Sequence, residues 1–219
     1  MSAGEAVRAT EPSPASPTAI RHRAAMRATN TLQVELFRKA IHVSIAIVPA
    51  LAAVSMSLAN SVLLIGMTIY VAAESARRGG VTVSVISRLT VLAARGREED
   101  AFVLGPVTLG LGALAALQLY PEPAASIAIY ALAFGDSAAS IVGTAFGRLK
   151  IPFTGGKSVA GSVACCVVVF VAALRITGRP GAAGIIALAA AAVEAAPTRD
   201  FDNLILPAGT GLVAAYLLL

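Results

Sequence analysis

The sequence predicts an all-α integral membrane protein. Hydrophobic residues make up 57% of the 219-residue chain and charged residues only 13%, and the mean hydropathy is +0.80. A soluble domain has about a quarter of its residues charged, so this composition is that of a membrane protein. The apolar runs are continuous rather than alternating, which favours spanning helices over a transmembrane β-barrel.

The chain divides into a tail and one polytopic domain. Residues 1–30 are rich in Pro, Ala and Ser, and we expect this tail to be disordered. The domain, residues 31–219, holds apolar segments of which several are shorter than the ~20 residues that cross a bilayer squarely. About seven transmembrane helices are predicted, with six plus a re-entrant piece as the alternative. The apolar segments cover residues 41–58, 60–73, 101–119, 124–147, 158–174, 181–196 and 204–219.

Prolines, charges and cysteines set further expectations within the domain. Pro49, Pro106 and Pro207 fall in the apolar segments and predict kinks or breaks. Residues 81–100 are too charged to span and are typical of an amphipathic helix at the membrane interface. The two cysteines, at 165–166, lie in an apolar run and are expected to be inert packing residues.

The distribution of basic residues predicts the orientation. If the N-terminus is cytoplasmic and seven segments cross, all of the 17 Lys and Arg residues except Arg175 and Arg179 lie on the cytoplasmic side, in accord with the positive-inside rule. Acidic residues obey no such rule, yet most of them gather there too. We therefore expect one active site at the cytoplasmic face. The compact, Ala- and Arg-rich chain favours a bacterial-type inner membrane, with a plastid envelope as the alternative. The net charge of +5 then indicates contact with lipid head groups or substrate phosphates rather than nucleic acid.

Two charged motifs lie beside the first two apolar segments. In "ELFRKAIH", Glu35, Arg38, Lys39 and His42 have the spacing of one helix face. The bases can be anchors at a helix end, whereas His42, one turn deeper, indicates a polar cavity. Glu74 opens the second motif, "ESARR", where a local ion pair with the arginine three residues on is the alternative to a functional role.

The stretch "FGDSAASIVGTAFGRLKIPFTGGKSVAGS" carries the strongest indication of chemistry. Its Asp136 lies in a predicted spanning helix, where a carboxylate costs several kcal/mol unless it is paired, hydrated or bound to a cation. Ser140 and Thr144 continue a polar stripe from Asp136 at intervals of four residues. An adjacent stripe of small residues, typical of close helix contact, consists of Gly135, Ala139, Gly143 and Gly147.

Basic residues and glycines follow this helix in a loop. Arg148, Lys150 and Lys157 share the loop with several glycines. A carboxylate that can hold Mg²⁺, mobile bases and free backbone N–H groups together suit a polyphosphate. The "GGKS" sequence is not a P-loop, because Ile151 stands where the first glycine of that motif belongs and no strand precedes it.

The last motif, "VEAAPTRDFDNLILP", separates the final two apolar segments. Asp200 is expected to cap the helix that follows. Glu194 ends one apolar run, and Asp202 and Asn203 open the next. These three are candidates for metal or hydroxyl contacts.

Together "RKAIH", "ESARR", the glycine–Asp–Ser stretch and "VEAAPTRDFDNLILP" resemble the motifs of the phytol kinase and dolichol kinase family over residues 32–219. That family comprises membrane enzymes that phosphorylate lipid alcohols or diacylglycerol, commonly with CTP as donor. The resemblance implies a CTP-dependent kinase that uses Mg²⁺ and acts on a lipid alcohol of the phytol, farnesol, geranylgeraniol or polyprenol type. ATP is the less expected donor.

The resemblance also implies roles for individual residues. The nucleotide is expected at Gly135, Asp136, Ser137, Ser140, Gly143, Gly147, Arg148, Lys150, Lys157, Ser158 and Gly161. Metal binding is expected at Asp136 and Asp202. The expected catalytic residues are Asp136, Lys157, Arg38, Lys39, His42 and Glu74, and those expected to position the alcohol are Glu35, Glu194, Asp202 and Asn203. The residue that deprotonates the alcohol stays open among His42, Glu74, Glu194 and Asp202.

Three other functions stay open. A diacylglycerol kinase of the same family would use the same site. A cytidylyltransferase that makes a CDP-lipid would use the same nucleotide, metal and access from the bilayer. A small transporter would also carry intramembrane charges and broken helices, although here the polar residues collect at one face rather than at mid-membrane.

Overall fold

The computed structural model describes residue 36 and residues 38–80, 102–197 and 201–219. The predicted tail, the predicted interfacial helix over 81–100, Glu35 and the predicted cap Asp200 lie outside these described residues. Within them the chain is helical and no strand occurs, apart from an isolated bridge between Lys150 and Ser158. This architecture confirms the all-α prediction.

The helices are numbered here in chain order. Residues 38–44 form α1, and a 3₁₀ turn, Ile45–Ile47, joins it to α2, Val48–Val54. The remaining helices are α3 (Met56–Arg78), α4 (Gly105–Leu119), α5 (Ala124–Phe146), α6 (Val159–Thr177), α7 (Pro180–Ala195) and α8 (Asp202–Leu218).

Three of the described helices are long and apolar enough to cross a membrane. They are α3, α5 and α6, whereas α4, α7 and α8 are apolar but shorter. The prediction of a helical membrane protein is therefore supported by the structure. Seven crossings, and the side on which the N-terminus lies, remain predictions.

Ser55 separates the first two apolar segments at a different place from the one predicted. Its backbone is extended, and its side chain accepts a hydrogen bond from the Leu58 N–H at 3.3 Å, which caps the start of α3. Helix α3 then continues to Arg78, five residues past the predicted end of the apolar run. It continues because Glu74 pairs with Arg77 on the same helix, so the charges are accommodated within the last turn.

Two of the three prolines mark helix starts rather than kinks within a helix. Pro49 and Pro106 lie in the first turns of α2 and α4, where the missing N–H of proline costs nothing. Pro207 does lie inside α8, so the Asn203 carbonyl one turn earlier loses its usual helical donor. Gly112 of α4 packs directly on that carbonyl, because a Cβ atom at position 112 would lie 2.0 Å from the Asn203 oxygen.

We expect Gly112→Ala to lower the free energy of unfolding by about 1–3 kcal/mol, because the added methyl group overpacks the contact between α4 and α8. Gly66→Ala is the matched control, since a Cβ at position 66 of α3 has no atom within 4 Å. That control should be neutral or slightly stabilising. Unfolding of both variants in detergent measures the difference, and equal stabilities would refute the close contact.

Helix α5 is the most enclosed of the three long helices. In the most apolar 18-residue stretch of α5, 61% is buried, whereas the corresponding values are 17% for α3 and 22% for α6. It turns through a π-helical segment, Ala131–Gly135, immediately before Asp136. Single π-turns inside α-helices are frequent at functional sites. Helix α5 thus changes its geometry next to Asp136, the buried carboxylate for which the sequence predicted a functional role.

Candidate functional site

The small-residue stripe of α5 packs against the start of α6. A Cβ at Gly147 would lie 2.5 Å from the Ser158 hydroxyl oxygen, and a Cβ at Gly161 would lie 2.7 Å from the Ala139 carbonyl oxygen. Ser158 caps α6 by accepting a hydrogen bond from the Gly161 N–H at 3.2 Å. The close helix contact predicted from the glycine spacing is therefore present, and it joins the end of α5 to the start of α6.

A hairpin joins these two helices. The Ile151 N–H donates to the Lys157 carbonyl at 2.9 Å, and the Val159 N–H donates to the Leu149 carbonyl at 3.0 Å. Two glycines at the turn, 155–156, have φ of +71° and +104°, which glycine adopts without strain. The hairpin returns the chain to the end of α5 and places Lys157 beside it.

A cavity of about 1270 Å³ lies beneath this hairpin, at one end of the helices. It draws on four separate parts of the chain: the start of α1, the end of α5 with the hairpin, the end of α7 and the start of α8. The charged residues that line it are Arg38, Lys39, Asp136, Arg148, Lys150, Lys157, Glu194 and Asp202. The other lining residues predicted from the sequence are Ser140, Gly143, Gly147, Ser158 and Gly161.

Asp136 is buried and held by two side chains of α1. The Lys39 ammonium donates a hydrogen bond to Asp136 Oδ2, and Lys39 is itself only 2% exposed. His42 Nδ1 lies 3.2 Å from the same oxygen, without the alignment of a hydrogen bond. A carboxylate inside a membrane helix needs such compensation. Lys39 supplies it from a position 97 residues away in the chain.

Glu194, at the end of α7, holds the hairpin in a similar way. Its Oε1 accepts a hydrogen bond from Lys157 Nζ at 2.6 Å, and its Oε2 accepts one from the Ser162 hydroxyl at 3.1 Å. Glu194 is 6% exposed, while the Lys157 side chain is 27% exposed. The carboxylate therefore fixes the ammonium group at the edge of the cavity and leaves part of it accessible.

Several predicted residues lie outside the cavity lining. Glu74 is fully buried and accepts hydrogen bonds from the Arg77 guanidinium at 2.7 and 2.8 Å and from the Val103 N–H at 3.2 Å. Asn203 donates from Nδ2 to Thr108 Oγ1 at 2.9 Å, so it ties α8 to α4. Both residues therefore connect separate segments of the chain rather than line the cavity.

Two residues that were predicted to contact the nucleotide also lie outside the cavity lining and contact other helix residues. The Ser137 hydroxyl donates to the Ala133 carbonyl one turn earlier at 2.6 Å. Gly135 packs on α6, where a Cβ would lie 2.9 Å from Val169. His42 reaches the site through Asp136 rather than through the cavity. The structure thus separates residues that line the cavity from those that build its walls.

Sequence reasoning missed several lining residues. Phe146, Phe153, Thr154 and Pro197 line the cavity, and Ser162 completes the contact with Glu194. Ser162 could have been found from its spacing, since it stands four residues after Ser158 on the same helix. The aromatic residues gave no signal, because a Phe in an apolar chain is ordinarily assigned to packing.

Among the described residues, no group of three or more His, Cys, Asp or Glu side chains is arranged to hold a metal ion by itself. Asp136, Glu194 and Asp202 nevertheless all line one cavity. Mg²⁺ in phosphate sites is usually bound by one or two carboxylates together with substrate oxygens. The carboxylates present fit an ion that takes its remaining oxygen ligands from outside the chain rather than from a preformed metal cage.

Fold and site together define an α-helical membrane protein with a charged cavity at one end of its helices. No protein-family model, curated protein or solved structure matches the chain. What the cavity binds must therefore be argued from its own residues.

Proposed function

We propose that this chain is a CTP-dependent kinase that transfers a phosphoryl group to the hydroxyl of a membrane lipid alcohol. The observation that carries the proposal is the cavity lining, where five basic side chains and a glycine hairpin meet three carboxylates at the end of apolar helices. Phosphoryl transfer needs in-line positioning and charge neutralisation more than covalent chemistry by the protein. A cavity at a membrane surface gives a soluble nucleotide and a lipid hydroxyl a common meeting place.

The basic residues divide by position. Lys157, Arg148 and Lys150 belong to the hairpin and bind the phosphates of the nucleotide, because they bring positive charge to the cavity beside the glycines of the turn. Arg38 and Lys39 line the cavity from α1, and Lys39 donates a hydrogen bond to Asp136. They stabilise the charge on the phosphoryl group as it is transferred.

The carboxylates supply the remaining functions. Asp136 and Asp202 would hold Mg²⁺, which when bound neutralises charge on the phosphates. Asp202 opens α8, and its Oδ1 accepts a hydrogen bond from the Asn203 N–H at 3.0 Å, which orients the carboxylate. Glu194 is already committed to Lys157 and Ser162, so it positions rather than deprotonates.

The direct test follows a labelled phosphate. Purified protein in detergent is incubated with γ-labelled CTP or ATP, Mg²⁺ and a panel of phytol, farnesol, a polyprenol and diacylglycerol. We expect label in a lipid alcohol with CTP as the preferred donor. Asp136→Asn should lose it, whereas Glu122→Gln, an exposed acid in the turn before α5, should keep it.

Other results would select other functions. Label only in diacylglycerol would make the chain a diacylglycerol kinase. Release of pyrophosphate with formation of a CDP-lipid would indicate nucleotidyl transfer instead. Absence of any nucleotide-dependent product, together with solute flux in vesicles, would favour a transporter.

A further inference from the structure

Phe153 is an unusual residue of the hairpin. Its side chain is 98% exposed, yet it lines the charged cavity. Its φ is +63°, a left-handed conformation that bulky L-residues rarely adopt. It is the only non-glycine residue with a positive φ in the part of the chain that the structure describes.

The phenylalanine ring contributes nothing to packing within the chain. The ring is not packed, so it contributes no buried apolar area. The backbone conformation would suit glycine better, as at the neighbouring Gly155 and Gly156. Strained residues that the surrounding structure maintains cluster at ligand-binding sites. An exposed, strained aromatic residue at the rim of a cavity therefore calls for a ligand with a flat apolar face.

The neighbours of Phe153 indicate which ligand that is. Gly156 and Lys157 line the same cavity a few residues further along the hairpin, and a glycine turn beside an ammonium group suits phosphates. A nucleotide carries phosphates at one end and a flat aromatic base at the other. The hairpin thus presents an aromatic ring that matches the base and, a few residues later, positive charge that matches the phosphates.

We propose that Phe153 is the stacking platform for the base of the nucleotide. This inference rests on the proposed function only in taking a nucleoside triphosphate as the ligand of the cavity. A phenyl ring has no hydrogen-bonding group, and every base has a π-face, so stacking is tolerant of base identity. Phe153 therefore contributes affinity for nucleotides, while the choice between CTP and ATP is made by other groups.

The test compares ligands with and without a base. Dissociation constants for CTP, ATP and inorganic triphosphate are measured on the detergent-solubilised chain and on Phe153→Ala. We expect Phe153→Ala to raise the dissociation constants of CTP and ATP by at least about fivefold and to leave that of triphosphate unchanged. Phe153→Trp should retain nucleotide affinity.

Leu149→Ala is the matched control, because Leu149 is an exposed apolar residue of the same hairpin that does not line the cavity. It should leave all three constants unchanged. Unchanged nucleotide affinity in Phe153→Ala would overturn the inference, and a role at the lipid interface would then account for the exposed ring. An equal loss for triphosphate would also overturn it, since the residue would then shape the hairpin rather than stack.

The outcome separates this inference from the kinase proposal. Nucleotide affinity that depends on Phe153, without transfer of phosphate to any lipid, would uphold the platform and refute the kinase. Transfer of phosphate to a lipid, together with unchanged nucleotide affinity in Phe153→Ala, would uphold the kinase and refute the stacking platform. No binding of any nucleotide by the unaltered chain would refute both.

Discussion

Lys39→Met and Asp136→Asn should each destabilise the protein by about 3–5 kcal/mol, because each removes the hydrogen-bonded charge partner of a buried ionic side chain. Both side chains are almost inaccessible, and they form the contact that joins α1 to the central helix. The double variant Lys39→Met/Asp136→Asn should recover most of the loss, since no isolated charge remains. A double-mutant cycle of unfolding in detergent measures the coupling between the two.

The same cycle separates stability from chemistry. If Asp136 acts on the nucleotide as proposed, the double variant should be folded and inactive. A double variant that is stable and still phosphorylates lipid would limit the pair to a structural role. Additive losses, with the double variant as unstable as the two single variants summed, would contradict the buried contact itself.

Local patterns predicted the helices and the small-residue stripe because those features depend on neighbours along the chain. The interval of four from Gly135 to Gly147 fixes one face of α5, and that face does pack on α6. The prediction of one polar site was also local in origin, since it rested on the charges at the ends of apolar runs. The cavity lining brings residues from three of the four motifs together at one end of the helices.

The pairings inside the site could not be predicted in this way. Asp136 was expected to be paired, hydrated or bound to a cation, but the sequence did not indicate which residue would pair with it. The packing of α1 places Lys39 against it. Glu194 was one of several acids, and its contact with Lys157 spans 37 residues. Such pairs depend on how helices pack, which residue spacing along a single helix does not encode.

Phe153 and Ser55 show a second limit. A φ of +63° at a phenylalanine contradicts the ordinary preference of that residue, so no propensity argument would have given it a left-handed backbone. Ser55 interrupts a long apolar run with a single cap, which hydropathy averages away. Sequence reasoning is weakest where one residue acts against its surroundings, and Phe153 is such a residue at the site itself.

Lys157→Met should lower kcat/KM for the nucleotide by about 10²–10³-fold, if Lys157 contacts the phosphates in the transition state. The Lys157 ammonium is partly exposed at the cavity edge and is held in place by Glu194. Lys157→Arg should recover part of the activity because it keeps the positive charge. Arg175→Met, an exposed base at the far end of α6, should have no effect.

Glu194→Gln distinguishes a positioning role from a catalytic one. An amide in place of the carboxylate can still accept a hydrogen bond from Lys157 but no longer attracts its charge. We therefore expect a rise of about tenfold in KM for the nucleotide with little change in kcat, since Lys157 is less firmly held and nucleotide binding is weakened more than the chemical step. A loss in kcat as large as that of Lys157→Met, with KM unchanged, would instead make Glu194 a participant in the reaction. In that case Glu194 would be the base that accepts the proton of the lipid alcohol.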